Sequence, residues 1–277
     1  FNDIIQPDKF INSSTLNNAS AIIHMGAISA TTETDADKLM ENNYRYTKSL
    51  IEFSTKNKAR LIYASSGATY GDGSKGFDDS EKVVPSLVPL NPYGFSKNIL
   101  DQWAIDTGVI KNVVGLKFFN VYGHNEYHKG DMSSVVLKAY RWIKETGKAK
   151  LFKSYRSDYK DGEQKRDFIY VEDCCDVIWW FLNSPDKNGL FNLGTGKARS
   201  WNDLMNGVFS ALNLPSKIEY VDMPENLRSH YQYFTEAKMD KLFSTGCPVK
   251  IRSLEDGVKE YVQNYLEKDM RALNPSL

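Results

Sequence analysis

The sequence predicts an α/β fold, in which a doubly wound parallel sheet is covered by helices and a smaller α/β domain is interleaved with it along the chain. Three observations lead to this prediction. Short apolar runs alternate with longer amphipathic stretches, as expected for strands that alternate with helices. The strand-like runs are almost continuously hydrophobic, which strands buried on both faces require. No repeat, low-complexity tract or Gly/Ser linker separates two consecutive domains.

The individual elements follow from residue spacing and from chain-breaking residues. Apolar residues recur every three or four positions between 35 and 56, which predicts an amphipathic helix. The pair Asn91-Pro92 suits the start of a second helix, because proline fits the first turn. The predicted strands are 21–24, 60–66, 113–121, 151–152, 167–171, 189–193 and 218–221. The predicted helices are 35–56, 92–107, 132–146, 172–183, 200–212, 235–243 and 253–267.

Charge and composition exclude several classes of protein. The 277 residues include 35 Lys or Arg and 35 Asp or Glu, so the formal net charge is zero. This balance argues against a globally basic nucleic-acid binder and against a polybasic membrane-surface protein. Hydrophobic residues make up 41% of the chain, as in globular and not in disordered proteins. The longest apolar run, 177–182, is far shorter than the roughly 20 residues that cross a bilayer.

The cysteine pattern points to a reducing compartment. Cys174 and Cys175 are adjacent and Cys247 is the only other cysteine, so neither a disulfide framework nor a CxxC metal motif is present. We interpret the three residues as reduced structural thiols of a cytoplasmic protein. No metal site is expected.

A tyrosine and a lysine four residues apart, Tyr93 and Lys97, lie at the start of the second predicted helix. This spacing places both side chains on one face of the helix. The pKa of a free phenol, about 10, is too high for an efficient base at neutral pH, but a neighbouring ammonium or a cationic oxidised nicotinamide lowers it. The pair therefore favours a proton acceptor for an alcohol that loses hydride. Many surface helices carry this spacing by chance, so it indicates function only together with other residues.

A serine at the end of a predicted strand strengthens that interpretation. Ser66 closes the run 60–66 and precedes Tyr93 by one loop. A hydroxyl at the carboxyl end of a strand can hydrogen-bond the substrate oxygen that the tyrosine deprotonates, because ligands of such sheets bind there. The alternative interpretation is an ordinary Ser/Gly turn. Together, Ser66, Tyr93 and Lys97 predict the triad of an oxidoreductase.

Six motifs, in order along nearly the whole chain, resemble the extended short-chain dehydrogenase/reductases. They are HMGA (24–27), YASSGATYG (63–71), YGFSK (93–97), FFNVYG (118–123), RDFIYVEDC (166–174) and FNLGTG (191–196). This superfamily includes nucleotide-sugar epimerases, dehydratases and reductases, and the resemblance implies a Rossmann-like NAD(P)-binding domain. The dehydratases carry an Asp-Glu pair after the strand-end hydroxyl, where this chain has Gly67-Ala68. Dehydration is therefore disfavoured.

Finer motifs resemble the ADP-glyceromanno-heptose 6-epimerases within that superfamily. They are NNYRYTK (42–48), EYHKGDMSS (126–134), KLFKS (150–154), KRDFIYV (165–171) and HYQYFT (230–235). The resemblance implies an epimerase that inverts carbon 6 of the heptose by transient oxidation to a ketone and re-reduction with a tightly bound NADP, with NAD as the alternative cofactor. It also implies a role in supplying precursors of the lipopolysaccharide inner core.

Inversion of a carbinol needs a proton partner on each face of the carbon. The resemblance implies that Tyr93 serves one face and that Lys129, in the HKG segment, serves the other. A lysine can do so if burial and positive neighbours lower its pKa, and the alternative interpretation is a solvated loop lysine. The expected catalytic residues are Ser66, Tyr93, Lys97 and Lys129.

The same motifs imply which residues contact the cofactor and the substrate. The expected cofactor-binding residues are Met25, Gly26, Ala27, Ile28, Ser29, Asn42, Tyr93, Lys97, Val121 and His128. The expected substrate-binding residues are Ser66, Asn120, Asp131, Lys138, Phe152, Lys153, Ser154, Tyr155, Arg166 and Tyr231. Between 138 and 166, ten Lys or Arg residues stand against four acidic ones, an excess that would attract the diphosphate of a nucleotide sugar. Most of these cations have the alternative interpretation of a solvated helix face.

The resemblance implies two interleaved domains. The dinucleotide-binding domain is assigned to 1–119, 167–190 and 237–250, and the substrate-binding domain to 120–166, 191–236 and 251–277. The resemblance also implies a homo-oligomer with a small-molecule nucleotide-sugar substrate, and neither nucleic acid nor membrane among its partners.

Several features depart from the families that the chain resembles. The glycine-rich fingerprint GxxGxxG is not seen and the chain begins with Phe1, so we expect roughly 50 to 70 preceding residues, about two βα units. Met25 stands where the heptose epimerases have an acid, and His124-Asn125 replace a Pro-Arg pair. Two alternatives stay open: another nucleotide-sugar 4-epimerase or reductase of the superfamily, and a non-catalytic dinucleotide-binding module.

Overall fold

The strands and helices are taken from a computed structural model, which describes residues 18–228 and 231–268 together with Ile5, Pro7–Phe10, Ser13 and Leu16. His230 of the motif HYQYFT lies outside the described residues. The strands are β1 (Ala21–His24), β2 (Arg60–Ser66), β3 (Val114–Phe118), β4 (Asn120–Tyr122), β5 (Ala149–Phe152), β6 (Lys165–Tyr170), β7 (Gly189–Leu193), β8 (Ala198–Ser200) and β9 (Ile218–Val221).

Most of the α-helices lie between these strands, and the last three follow β9. They are α1 (Pro7–Phe10), α2 (Ala36–Leu39), α3 (Tyr46–Asn57), α4 (Pro92–Asp106), α5 (Val135–Thr146), α6 (Val171–Leu182), α7 (Trp201–Ala211), α8 (Glu225–Arg228), α9 (Asp240–Ser244) and α10 (Leu254–Glu260). A π-helical segment, Met40–Arg45, joins α2 to α3, and another, Tyr261–Leu266, continues α10. Helices predicted from apolar spacing are thus confirmed, with the exception described below.

Two compact units are built from these elements. One comprises Phe1–Lys117 with Ile178–Phe191, and the other Phe118–Val177 with Asn192–Leu277. The expected domain assignment differs from this division, because it placed 167–177 and 237–250 in the dinucleotide-binding domain. The units are defined by packing, so the assignment of cofactor and substrate to them stays a prediction.

The first unit is organised around a four-stranded sheet with the order β1-β2-β3-β7. β1 and β2 are parallel and in register, with Ala21 opposite Arg60 and His24 opposite Tyr63. The segments that follow His24 and Ser66 therefore leave the sheet at the same edge, which is where ligands bind in sheets of this kind. Its apolar core includes Leu50, Ile51, Leu61, Leu100, Val113 and Leu190, all buried. The predicted α/β class is confirmed.

The second unit contains two small sheets. In the first of them β4 pairs with β6 in parallel and β6 pairs with β8 antiparallel; the short β8 was not predicted. In the other, β5 and β9 are parallel. Helices α5, α7 and α10 cover these strands through buried apolar residues that include Leu137, Ile143, Phe168, Leu204, Val208 and Val258.

Two predicted elements differ from the structure. The strand predicted over 113–121 is divided between β3 and β4 at Phe119, where the chain leaves one sheet and enters the other and Phe119 N–H bonds Leu193 O. The helix predicted over 235–243 is wrong for its first half, and only Asp240–Ser244 is helical. The backbone N–H of Thr235 bonds Lys165 O instead, beside β6. This backbone bond to β6 determines the local structure, although the spacing of the apolar residues is helical.

Two helical glycines in the second unit predict opposite effects on stability. A Cβ on Gly257 of α10 would lie 2.2 Å from the Tyr122 hydroxyl, whereas a Cβ on Gly207 of α7 would meet Val258 at ordinary contact distance, 3.6 Å or more. We expect Gly257→Ala to lower the free energy of unfolding by about 1 to 3 kcal/mol through overpacking. Gly207→Ala should raise it by up to about 1 kcal/mol, because alanine favours helix. Urea unfolding of both variants checks this pair, and equal destabilisation would contradict it.

None of the helices in the described part of the chain is both long enough and apolar enough to span a bilayer. All three cysteines carry free thiols, with Cys174 and Cys247 buried and Cys175 exposed.

Candidate active site

The first turn of α4 places Tyr93 against the segment that follows β2. Asn91 caps this helix, because its side-chain oxygen accepts a hydrogen bond of 2.8 Å from Gly94 N–H, and Pro92 occupies the first turn. Gly94 permits a close approach, since a Cβ there would lie 2.7 Å from Ala68 O. This approach brings the helix start next to the end of β2.

The hydroxyl of Ser66 lies near the phenol of Tyr93 and lowers its pKa. Ser66 is buried, and its hydroxyl oxygen also accepts a hydrogen bond of 3.1 Å from Ala68 N–H. Burial raises the pKa of Tyr93, and the opposing effect of Ser66 is smaller, while Asp101 raises the pKa further. The resulting pKa lies above the usual value, whereas the spacing to Lys97 had predicted a lowered one. The physical reason is that the phenol loses hydration in this site.

Lys97 is almost completely buried one helical turn after Tyr93. Its Nζ donates a hydrogen bond of 2.8 Å to Ala64 O on β2. Burial lowers the pKa of Lys97 to about 8, although Asp101 opposes this shift. The ammonium can therefore lose its proton within the range in which many enzymes work.

The segment after β1 is expected to contact the cofactor. Two hydrogen bonds between the Asn43 side chain and the backbone of Ile28 hold it in place. Ile28 N–H donates to Asn43 Oδ1 at 2.8 Å, and Asn43 Nδ2 donates to Ile28 O at 2.9 Å. Asn43 is fully buried and its Nδ2 also donates to Ser96 Oγ at 3.0 Å. Ser96 in turn donates to Tyr93 O at 2.7 Å. A chain of hydrogen bonds thus links this segment to the helix turn that carries the tyrosine.

The neighbouring asparagine, Asn42, was the residue expected to bind cofactor. Its side chain is exposed and donates a hydrogen bond of 2.8 Å to Lys38 O. Sequence reasoning missed Asn43, although the helical spacing marked position 43 as inward-facing. A polar residue on the buried face of a helix was the available signal.

The polar groups of the first unit fit a nicotinamide dinucleotide bound beside a secondary alcohol. Met25, Gly26 and Ser29 are exposed after β1, and Ala27 and Ile28 are partly exposed. A hydroxyl, a phenol and a buried ammonium lie together at the same edge of the sheet. These groups can share a proton with an alcohol and donate hydrogen bonds to hydroxyls.

His24, at the end of β1, has a structural role. Its Nε2 is 2.9 Å from Thr47 Oγ1, and its ring lies 5.7 Å from that of Tyr46. Burial, with a smaller effect of Lys97, lowers the pKa of His24 to about 4. His24 therefore serves the fold as a neutral hydrogen-bonding residue.

The lowered pKa of His24 predicts a loss of stability in acid. Between about pH 6.5 and pH 4 the unfolded chain binds a proton at this residue and the folded protein does not, so stability decreases as the pH falls through that window. We expect His24→Gln to remove about 1 to 3 kcal/mol of this loss. Urea unfolding at both ends of the window measures it, with His128→Gln as the control, because His128 is exposed. The same pH dependence in wild type and His24→Gln would contradict the prediction.

Lys129 belongs to the second unit and lies on an exposed turn, Tyr127–Met132, which is kinked at Gly130. The base of the turn is closed by Glu126. Its carboxylate accepts hydrogen bonds from the backbone N–H and the hydroxyl of Ser134, and from Tyr261 Oη at 3.0 Å. This closure holds the ends of the turn while its tip faces solvent.

Other expected binding residues lie on or near that turn. His128 and Asp131 are exposed on it, and Asp131 O accepts a hydrogen bond of 2.6 Å from Lys138 Nζ. Asn120 and Val121, on β4, are also exposed. No contact among these side chains assigns them to a common site.

Three of the expected substrate residues, Lys138, Phe152 and Tyr231, line an apolar cavity of about 420 Å³ in the second unit. It is lined by Val135, Lys138, Trp142, Lys150, Leu151, Phe152, Trp201, Val221 and Tyr231. Beside it, the guanidinium of Arg166 lies 5.8 Å from the Trp201 ring and 5.2 Å from the Tyr231 ring. Arg166 is 7% exposed and donates to Lys165 O and Gln232 O. Aromatic rings beside a buried cation suit a planar base and a phosphate.

The remaining expected substrate residues, Lys153, Ser154 and Tyr155, form a second group, in which Tyr155 is exposed and the other two are partly exposed. Tyr155 Oη donates to Asp222 Oδ1 at 3.0 Å, and Lys153 Nζ forms an ion pair of 3.2 Å with the same oxygen. The Arg228 guanidinium lies 3.9 Å from the Tyr155 ring. Ser154 N–H bonds Asp161 Oδ1 at 2.7 Å.

Sequence reasoning missed Trp142, Trp201 and Arg228 in the second unit. It also missed Asp101 and Lys117 in the first unit, which form a buried ion pair of 2.8 Å. A lysine inside the apolar run 113–119 was the signal for that pair. Within the described part of the chain, no group of three or more His, Cys, Asp or Glu side chains is arranged to hold a metal ion.

Comparisons with known proteins agree with these motifs and with the fold. The NAD dependent epimerase/dehydratase family matches residues 2–194. An ADP-L-glycero-D-manno-heptose-6-epimerase from Nitratidesulfovibrio vulgaris strain DP4 is 58% identical over 246 residues, which cover 89% of this chain and 76% of the relative. The protein of the same name from Fusobacterium nucleatum is 51% identical over 261 residues, which cover 91% and 79% of the two chains.

A solved structure gives the same result. The crystal structure of Helicobacter pylori ADP-L-glycero-D-manno-heptose-6-epimerase superposes with a TM-score of 0.76 at 29% identity, and the match covers 92% of this chain and 76% of that one. The resemblance inferred from the motifs is thereby confirmed. The chain belongs to the NAD dependent epimerase/dehydratase family and groups with relatives named as heptose 6-epimerases.

Proposed function

We propose that the protein inverts carbon 6 of the heptose in ADP-glycero-manno-heptose. The observation that carries this proposal is the burial of Lys97 one turn after Tyr93, with its Nζ donating to Ala64 O on β2, and the placement of the Ser66 hydroxyl where it lowers the pKa of the Tyr93 phenol. The 58% identity to a relative named for this activity supports the choice of substrate. Gly67 and Ala68, in place of two acids, support epimerisation over dehydration.

In this proposal the side chains of the first unit hold the substrate alcohol and move its proton. Ser66 binds the oxygen at carbon 6, and Tyr93 accepts the hydroxyl proton as the ketone forms. A bound dinucleotide would supply the redox chemistry, accepting hydride in its oxidised form, which carries a positive charge beside the phenol, and returning the same hydride from its reduced form. Lys97 stabilises the Tyr93 phenolate while the Lys97 ammonium keeps its proton. Lys129 exchanges the proton on the opposite face after the ketone has turned.

We assign the dinucleotide to the residues that follow β1 and to the neighbouring triad. The full set is Met25, Gly26, Ala27, Ile28, Ser29, Asn42, Tyr93, Lys97, Val121 and His128. We assign the adenosine diphosphate of the substrate to the apolar cavity and to Arg166, whose pKa burial lowers but which stays cationic at neutral pH. The remaining substrate residues are Asn120, Asp131, Lys153, Ser154 and Tyr155.

Product analysis tests the proposed reaction. The purified protein is incubated with ADP-heptose of one configuration at carbon 6, and the two epimers are separated by chromatography and identified by proton NMR. We expect an equilibrium mixture from either epimer. UDP-glucose and UDP-N-acetylglucosamine serve as comparison substrates. Turnover of these UDP-sugars with none of the ADP-heptose would replace the proposal with a 4-epimerase.

We further propose NADP as the resident cofactor, because the heptose epimerases that the chain resembles are expected to use it. Mass spectrometry of the small molecules released by denaturing the purified protein distinguishes NADP from NAD. The proposal places the enzyme in the cytoplasm as a homo-oligomer that supplies lipopolysaccharide inner-core precursors. Light scattering on the purified protein measures the oligomeric state.

A further inference from the structure

A fully buried ion pair joins β3 to α4 in the first unit. Lys117 Nζ lies 2.8 Å from Asp101 Oδ2, and neither side chain is exposed. Asp101 also accepts hydrogen bonds from Tyr63 Oη at 2.9 Å and from Ser65 Oγ at 2.6 Å. The attraction within a buried pair often fails to exceed the cost of removing both charges from water. Stability alone is therefore a weak reason for this pair.

The pair contacts both segments that carry the reacting side chains. Asp101 lies one helical turn beyond Lys97 on α4. Lys117 Nζ donates to Thr69 Oγ1 at 2.7 Å, and Thr69 Oγ1 donates to Ser66 O at 2.8 Å. Lys117 therefore reaches the backbone of Ser66 through a single hydroxyl group.

The charges of the pair also act on Tyr93. After the larger effect of burial, the Asp101 carboxylate raises the pKa of Tyr93, and it raises the pKa of Lys97 against the effect of burial. An unpaired carboxylate at this place would disfavour the phenolate further, because interaction between like charges is strong in a buried site. Lys117 provides the opposite charge at 2.8 Å.

We propose that Lys117 is a positioning residue for the reaction: its ammonium neutralises Asp101 and holds the backbone of Ser66, so that Tyr93 can give up its proton without facing an unpaired carboxylate. The proposal rests on the proposed role of Tyr93 as the proton acceptor. It gives the buried ammonium of Lys117 a role in the reaction, although β3 carries none of the expected catalytic residues.

Two other titratable groups around the pair, His24 and Tyr63, have fixed charge states over the range of a pH profile between about 6 and 10. His24, on β1, is neutral, because burial and, to a smaller extent, the charge of Lys97 lower its pKa to about 4. Tyr63 stays protonated, because burial raises its pKa well above the usual value, with Asp101 and Glu81 acting in the same direction. Lys97 does titrate in this range, and the charge of Asp101 moves its pKa in the same direction as that of Tyr93.

The test is the pH profile of kcat/KM for the wild type, Lys117→Met, Asp101→Asn and the double variant. The acidic limb is the part of the profile in which kcat/KM rises with pH. We expect Lys117→Met to move this limb to higher pH by about one unit, and Asp101→Asn to move it to lower pH by a similar amount. In the double variant, where neither charge is present, the limb should return towards the wild-type position. Lys117→Arg, which retains the charge, should leave the limb in place. Lys187→Met, which removes a surface ion pair with Asp186, is the control.

The opposite shifts of the two single variants separate this proposal from a purely structural role. If both variants lower activity by the same factor at every pH, the proposal is overturned. If Lys117→Met does not fold, the downward shift in Asp101→Asn and its reversal in the double variant still decide the matter. If Tyr93→Phe keeps full activity and the same acidic limb, the proposed role of Tyr93 as the proton acceptor is wrong. If instead Tyr93→Phe is inactive but the limb does not move in the Lys117 and Asp101 variants, only the proposed role of Lys117 is wrong.

Discussion

Replacing Tyr93 with phenylalanine is expected to abolish most of the turnover while leaving cofactor and substrate binding nearly intact. The substitution removes the hydroxyl whose pKa Ser66 lowers and keeps the aromatic ring at the start of α4. Because a positioned general acid–base contributes roughly 10²- to 10⁴-fold, we expect kcat to fall within that range. The measurement is epimer formation at saturating ADP-heptose, combined with the cofactor content of the purified variant.

A matched substitution separates loss of the catalytic phenol from loss of a tyrosine hydroxyl in general. Tyr220 is 37% exposed on β9 and its hydroxyl donates to Asn202 Oδ1 at 3.0 Å. Tyr220→Phe should therefore retain wild-type turnover. A loss of less than about threefold in Tyr93→Phe would remove this residue from the mechanism, since acid–base roles are larger.

Lys129→Met is expected to separate inversion from simple redox chemistry. The variant keeps the aliphatic stem on the exposed turn and removes the ammonium. Inversion in either direction requires proton exchange on both faces of carbon 6, so it should fall by about 10²-fold or more. Oxidation and reduction of an aldehyde analogue at one carbon, without inversion, needs only the Tyr93 face and should be retained. Both rates are measured on the same preparation.

The outcomes for Lys129 distinguish three roles. Loss of inversion alone identifies a proton partner for the second face. Equal loss of both activities with unchanged substrate affinity would instead indicate a general electrostatic effect, and no loss would indicate a solvated lysine. Lys217→Met, at an exposed position of the same unit, controls for removal of a surface charge.

The order of elements and the triad could be predicted because each depends on local sequence. The Asn91-Pro92 pair begins α4, and the spacing of four residues puts Tyr93 and Lys97 on one face. The end of β2 at Ser66 follows from a continuous apolar run that stops at two hydroxyls. These features need no knowledge of distant residues.

Features that depend on distant partners could not be predicted in the same way. The pKa of Tyr93 was expected to be lowered by Lys97, and burial by the surrounding chain raises it instead. The non-helical course of the chain before α9 depends on β6, which lies about seventy residues earlier, as in the bond from Thr235 N–H to Lys165 O. The grouping of Trp142 with Trp201 around one cavity likewise requires the packing of α5 against α7. Only the tertiary structure brings such residues together.

The strand order β1-β2-β3-β7 has a consequence for synthesis on the ribosome. β3 ends at Phe118, but its partner β7 begins only at Gly189, after a long segment of the second unit has been translated. Until then the nascent chain carries an open edge along β3, whose residues Val114 and Leu116 are fully buried in the finished sheet. Unpaired apolar edges of this kind promote aggregation. We therefore expect nascent chains whose translation stops after β3 and before β7 to bind chaperones that recognise exposed strands.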